Sequence, residues 1–87
     1  MVIEKAVEQY NRFRGAEARA SLIKVEGDSV WVLFEGDFCY TCGIRDWVED
    51  FKYTLESLGV EAELVEIIEP SGGEEPWRIG VFRVKTP

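Results

Sequence analysis

Apolar side chains recur every three to four positions at the start of the chain, at Ile3, Ala6, Val7, Tyr10 and Phe13. That period predicts a helix from Ile3 to Arg14, with Gly15 placed to end it as a left-handed cap. The period then falls to two. From Glu17 to Glu26, Ala18, Ala20 and Leu22 alternate with Glu17, Arg19 and Ser21, after which Ile23 and Val25 reverse the polarity. This reads as a strand, and Gly27-Asp28 is a two-residue hairpin signal with glycine in the first central position. Val30 to Phe34 is apolar on both faces, which suits the middle of a sheet. The strongest helical stripe follows: Ile44, Trp47, Val48, Phe51, Leu55 and Leu58. Thr41 is placed to cap its first turn, Asp46 and Glu49 lie toward the positive end of the dipole, and Gly59 ends it. Val60 to Ile68 alternates again, Pro70 to Pro76 is a loop, and Trp77 to Lys85 is a closing strand.

The element order is therefore α-β-β-α-β-β, which predicts an α+β fold. Two helix-plus-hairpin units suggest one four-stranded antiparallel sheet with both helices on one face. Val30–Phe34 should be central, with Trp77–Val84 as its companion. The resulting strand order, 1-2-4-3, is a circular permutation of the ferredoxin-like arrangement. Gly15-Ala16-Glu17-Ala18 and Gly59-Val60-Glu61-Ala62 echo each other at an offset of 44.

Eighty-seven residues leave room for a single domain, residues 1–87, and one core. A chain this short buries only about 60–65% of its unfolded surface, so a crosslink or association would add needed stability. Two helices cover one sheet face. The other would carry some of Ile23, Val25, Trp31, Leu33, Val65 and Ile67, too apolar a set to leave in water. A second copy is the simplest cover, and a homodimer the expected state.

Seventeen acidic residues against ten basic ones give a net charge of −7, which disfavours nucleic acid and anionic lipid as partners. Arg12, Arg14 and Arg19, and separately Arg78, Arg83 and Lys85, are the basic groups closest in sequence; ion pairs with the thirteen glutamates are the expectation for both. No apolar run approaches the roughly 18 residues that span a bilayer, and the N-terminus has no secretory pattern, so no membrane partner and a cytoplasmic location are expected. Few amide side chains, one methionine and many ion-pairing residues match the composition of proteins from thermophiles.

There is no histidine and no catalytic motif, so no catalytic residue, metal site or cofactor is expected. Cys39 and Cys42 are the one constellation with chemical potential. They form a C-x-x-C between a strand and a helix start, where amide groups favour a thiolate, with a second thiol one turn away to resolve a mixed disulfide. Residues Val30 to Phe51, about a quarter of the chain, resemble the active-site stretch of the thioredoxin family, which implies attack by Cys39 and resolution by Cys42. The motif is also similar to that of heavy-metal-associated domains, which implies soft-metal binding by both thiolates. Zinc needs four ligands, and one chain supplies two. A structural thiol pair or disulfide is the plainest expectation. The leading function is thus a non-catalytic association module; the alternative is a thiol-disulfide redox or soft-metal protein using Cys39 and Cys42.

Overall fold

The computed structural model describes residues 2–15, 18–36, 44–71 and 75–85. Its elements are α1 (Val2–Arg14), β1 (Arg19–Glu26), β2 (Ser29–Glu35), α2 (Ile44–Ser57), β3 (Glu61–Ile68) and β4 (Trp77–Lys85). The strands form one antiparallel sheet in the order β1-β2-β4-β3, the topology expected from the sequence pattern. Both helices lie on one face. α1 packs on β1, α2 packs on β3, and the helices pack on each other.

Local signals account for the boundaries. β1 turns into β2 at Gly27, whose φ of 59° a side chain would strain, while Asp28 keeps negative φ. α2 ends in a Schellman motif: the Val60 N–H donates to the Leu55 carbonyl at 3.0 Å and the Gly59 N–H to the Glu56 carbonyl at 3.0 Å, with Gly59 at φ 87°. Gly15 departs from expectation. It has no positive φ; its N–H bonds to the Asn11 carbonyl at 2.8 Å, so it extends the helical turn rather than closing it left-handed. Thr41, expected to cap α2, lies outside the described residues.

The core sits between the helices and the alternating positions Val30, Val32 and Phe34 of β2 with Phe82 and Val84 of β4. Its centre is aromatic. Tyr10 of α1, Phe34 of β2, Phe51 of α2 and Phe82 of β4 contact one another with ring centroids 5.2–6.3 Å apart, in tilted and edge-on geometries. The Tyr10 hydroxyl, brought into this apolar setting, donates to the Trp47 carbonyl at 2.8 Å and so is not left unpaired. Asn11 ties α1 to the sheet edge: its side-chain oxygen accepts from the Ala20 N–H at 2.7 Å and its amide donates to the Ala20 carbonyl at 2.9 Å.

Two measurements probe this packing. A methyl at Gly80 would lie 2.8 Å from Phe82, 2.8 Å from Val48 and 3.1 Å from Phe34, closer than carbon atoms tolerate. Gly80→Ala should therefore lower unfolding free energy by about 1–3 kcal/mol in urea titrations, as overpacked cores do. Burial, and secondarily the Asp50 carboxylate, raise the Tyr10 pKa above its ordinary 10.0, with Arg14 opposing. The unfolded chain then loses this proton near pH 10 while the folded chain keeps it. The stabilisation is complete below pH 10 and declines as pH rises beyond it. Tyr10→Phe should flatten the alkaline decline in stability by up to about 1.4 kcal/mol per pH unit, the weight of one proton.

Candidate interaction surface

The face of the sheet opposite the helices is assembled by strand register. Across β1, β2, β4 and β3 its successive rows read Ser21–Leu33–Ile79–Ile68, then Lys24–Trp31–Val81–Glu66, then Glu26–Ser29–Arg83–Glu63. The first two rows hold an apolar patch of Leu33, Ile79, Ile68, Trp31 and Val81, while the third is charged. Among the described residues no helix covers this face. Trp31, Leu33, Ile79 and Ile68 are half-buried, and Val81, at the centre, is 8% exposed.

Register shifts at matching places in β1 and β3 decide which residues reach it. The pairing slips between Leu22 and Lys24 and again between Leu64 and Glu66, so Ile23 and Val65 are extra residues in their strands. Leu22 and Leu64 pack against the core. Strand alternation turns the following Ile23 and Val65 to the open side, where they are 46% and 49% exposed, and the bulge lets Lys24 and Glu66 share that side. Lys24 Nζ stands 4.1 Å above the Trp31 ring and 2.8 Å from a Glu26 oxygen.

Of the six residues expected on this face, the structure brings Ile23, Trp31, Leu33 and Val65 together. Val25 and Ile67 go elsewhere. Past the bulges, Val25 is opposite Val30 and Ile67 is opposite Gly80, both on the helix side; Ile67 packs against the core and Val25 is left exposed at the sheet end. Simple alternation from Val65 to Ile67 cannot hold through an extra residue, because the phase changes at that point. Ile68, Ile79 and Val81 take the vacated roles. The signal for Ile79 and Val81 in the sequence was the alternation of Trp77, Ile79 and Val81 along β4, whereas Ile68 reaches the face through the β3 bulge.

The edges of the sheet are poor association sites by comparison. Asn11 occupies the β1 edge at Ala20, both edge strands carry bulges, and β3 sets Glu61, Glu63 and Glu66 along the other edge.

The remaining candidates are dispersed. Arg12 pairs with Glu8 at 3.4 Å, Arg14 with Asp50 while lying 4.8 Å over the Trp47 ring, and Arg83 with Asp28 at 3.8 Å. Arg78 is 4% exposed on the helix side of β4. Its guanidinium donates to the Trp77 carbonyl at 2.6 Å and to the Glu75 carbonyl at 3.0 Å, and Nε stands 3.7 Å from Glu69. These arginines form no common surface. A groove of about 240 Å³ between the helices is lined by Phe13, Arg14, Asp50 and Tyr53 among others, with its cation and carboxylate already paired. Among the described residues no group of three or more acidic or thiol side chains is placed to hold a metal ion, and no helix is long and apolar enough to cross a membrane. Cys39 and Cys42 lie outside the described residues. Comparison with protein-family models, curated proteins and solved structures found no match.

Two neighbouring positions on β3 should respond oppositely to the same charge. Val65→Glu, on the open face, should change the unfolding free energy of the monomer by less than about 1 kcal/mol, whereas Ile67→Glu, which puts a carboxylate against the core, should cost about 2–4 kcal/mol. Paired thermal melts distinguish the two.

Proposed function

We propose that this protein is a non-catalytic association module that forms a homodimer through the open face of its sheet. The observation that carries this reading is the continuous apolar patch of Trp31, Leu33, Ile79, Val81 and Ile68, spread over three adjacent strands on the side away from both helices. Patches of this kind mark surfaces that meet another macromolecule. The small size of the chain adds a thermodynamic motive, since a second copy buries apolar surface that 87 residues cannot cover alone. The face spans about 19 by 24 Å by strand spacing and rise. That is enough for an interface near the lower end of the ~1,000 Å² that specific contacts need, so micromolar association is expected.

A second reading keeps Cys39 and Cys42 as a thiol-disulfide or soft-metal pair. Its support is the spacing of the C-x-x-C, which falls in the chain between the end of β2 and the start of α2.

Sedimentation velocity between about 1 and 100 μM tests the association reading. A concentration-dependent dimer that Ile79→Glu disrupts while the variant stays folded is expected, and a monomer throughout would remove it. A thiol titration with and without reductant separates the second reading. Rapid alkylation of Cys39 together with reduction of a dithiol dye would favour it, while inert or fully oxidised thiols would leave the pair structural.

A further inference from the structure

The central row of the open face is Lys24, Trp31, Val81, Glu66: a cation at one edge of the sheet, an anion at the other, and apolar residues between. We propose that two copies stack these faces with the two-fold axis running along the strand direction, so that each Lys24 meets the partner's Glu66. The proposal rests on the homodimer reading and adds its orientation and its polar contacts.

The register carries the argument. Exchanging β1 with β3 and β2 with β4 maps the pair Val30–Phe82 onto Gly80–Val32, and both pairs are present. An approximate two-fold axis normal to the sheet therefore passes through the Trp31–Val81 pair. Lys24 and Glu66 are equivalent under it and equally far from the centre. Three strand spacings, about 14 Å, separate them within one copy, which is too far for an ion pair. Among the described residues Glu66 makes no ion pair, while Lys24 has only its strand neighbour Glu26.

A dimer axis along the strands lays β1 over the partner's β3. Lys24 then faces the partner's Glu66 twice, Ile23 faces the partner's Val65, and Leu33 faces the partner's Ile79. Apolar rows stay over apolar rows. At the charged end Glu26 faces the partner's Glu63, with Arg83 beside Glu63 on its own sheet. The other in-plane axis, across the strands, would set Lys24 on the partner's Lys24, Glu66 on the partner's Glu66, and Leu33, Ile79 and Ile68 on the partner's Ser29, Arg83 and Glu63. That arrangement opposes like charges and strands carboxylates against apolar side chains. Facing sheets pack about 10 Å apart, a gap that lysine and glutamate side chains bridge from opposite sides.

The test is a charge swap in the full-length protein, with sedimentation equilibrium as readout and thermal melts to confirm folding. Lys24→Glu and Glu66→Lys should each weaken dimerisation about fivefold to tenfold, since every substitution acts twice in a symmetric dimer. The double variant should return to within about threefold of the parent. Zero-length carbodiimide crosslinking should yield a covalent dimer joined between Lys24 and the partner's Glu66. A dimeric parent whose double variant is as weak as the two losses combined, or whose crosslinks join other pairs only, overturns the orientation while leaving the dimer. A monomeric parent overturns both.

Discussion

The contact among Tyr10, Phe34, Phe51 and Phe82 is the constraint from which the rest of the structure follows. Each ring comes from a different element, two from helices and two from the central strands, so the cluster is where both layers of the fold are held together. It requires volume to be distributed unevenly. Phe82 is bulky where its counterpart Val32 is small, and Gly80 beside it supplies the gap into which Phe34, Val48 and Phe82 converge. With the sheet centre filled from one side, the helices cannot also reach the other. The open face is thus a geometric consequence of how an 87-residue chain spends its two helices.

Most of the fold was legible because periodicity and turn chemistry agree along the chain. The stripe from Ile44 to Leu58, the Gly59 cap and the two-sided Val30–Phe34 strand correspond to observed elements, and the central pairing of β2 with β4 follows from their apolar content. What pattern alone misjudged was phase. The reversal of polarity after Leu22 reads as a strand with two apolar faces, yet it marks a bulge; adjacent Leu64 and Val65 mark another. A bulge moves every later side chain to the opposite face, which is why Val25 and Ile67 lie on the helix side and Ile68 joins the open face. The internal echo shows the same limit. The sequence match of the two halves has an offset of 44, whereas β1 and β3 begin at Arg19 and Glu61, 42 positions apart, and carry their bulges at Ile23 and Val65. The connection after α1 is longer than that after α2, so the helix ends and the strands align at different offsets.

Edge and face divide the labour of controlling association. Bulges, the Asn11 clamp at Ala20 and the glutamates of β3 make strand addition at either edge unfavourable, which closes the usual route to unlimited aggregation. A face is different: once two faces are stacked, neither remains available, and growth stops at two. An apolar face with guarded edges is therefore consistent with a closed pair rather than a polymer.

The two halves of the molecule are alike at the inward positions of their edge strands and opposed outside. Inward positions of the edge strands match, Ala20 with Ala62 and Leu22 with Leu64, because both pack under a helix of similar shape. Outward positions do not. Lys24 answers Glu66, Leu33 answers Arg83 and Ile79 answers Ser29, so the approximate symmetry that organises the interior is broken on the open face in both charge and polarity. A face with true two-fold symmetry would accept a second copy equally well in several orientations. One that is polar at one end and apolar at the other, with Lys24 and Glu66 at opposite ends of its central row, has a direction, and in the proposed dimer burial of the apolar rows and pairing of Lys24 with Glu66 favour the same orientation.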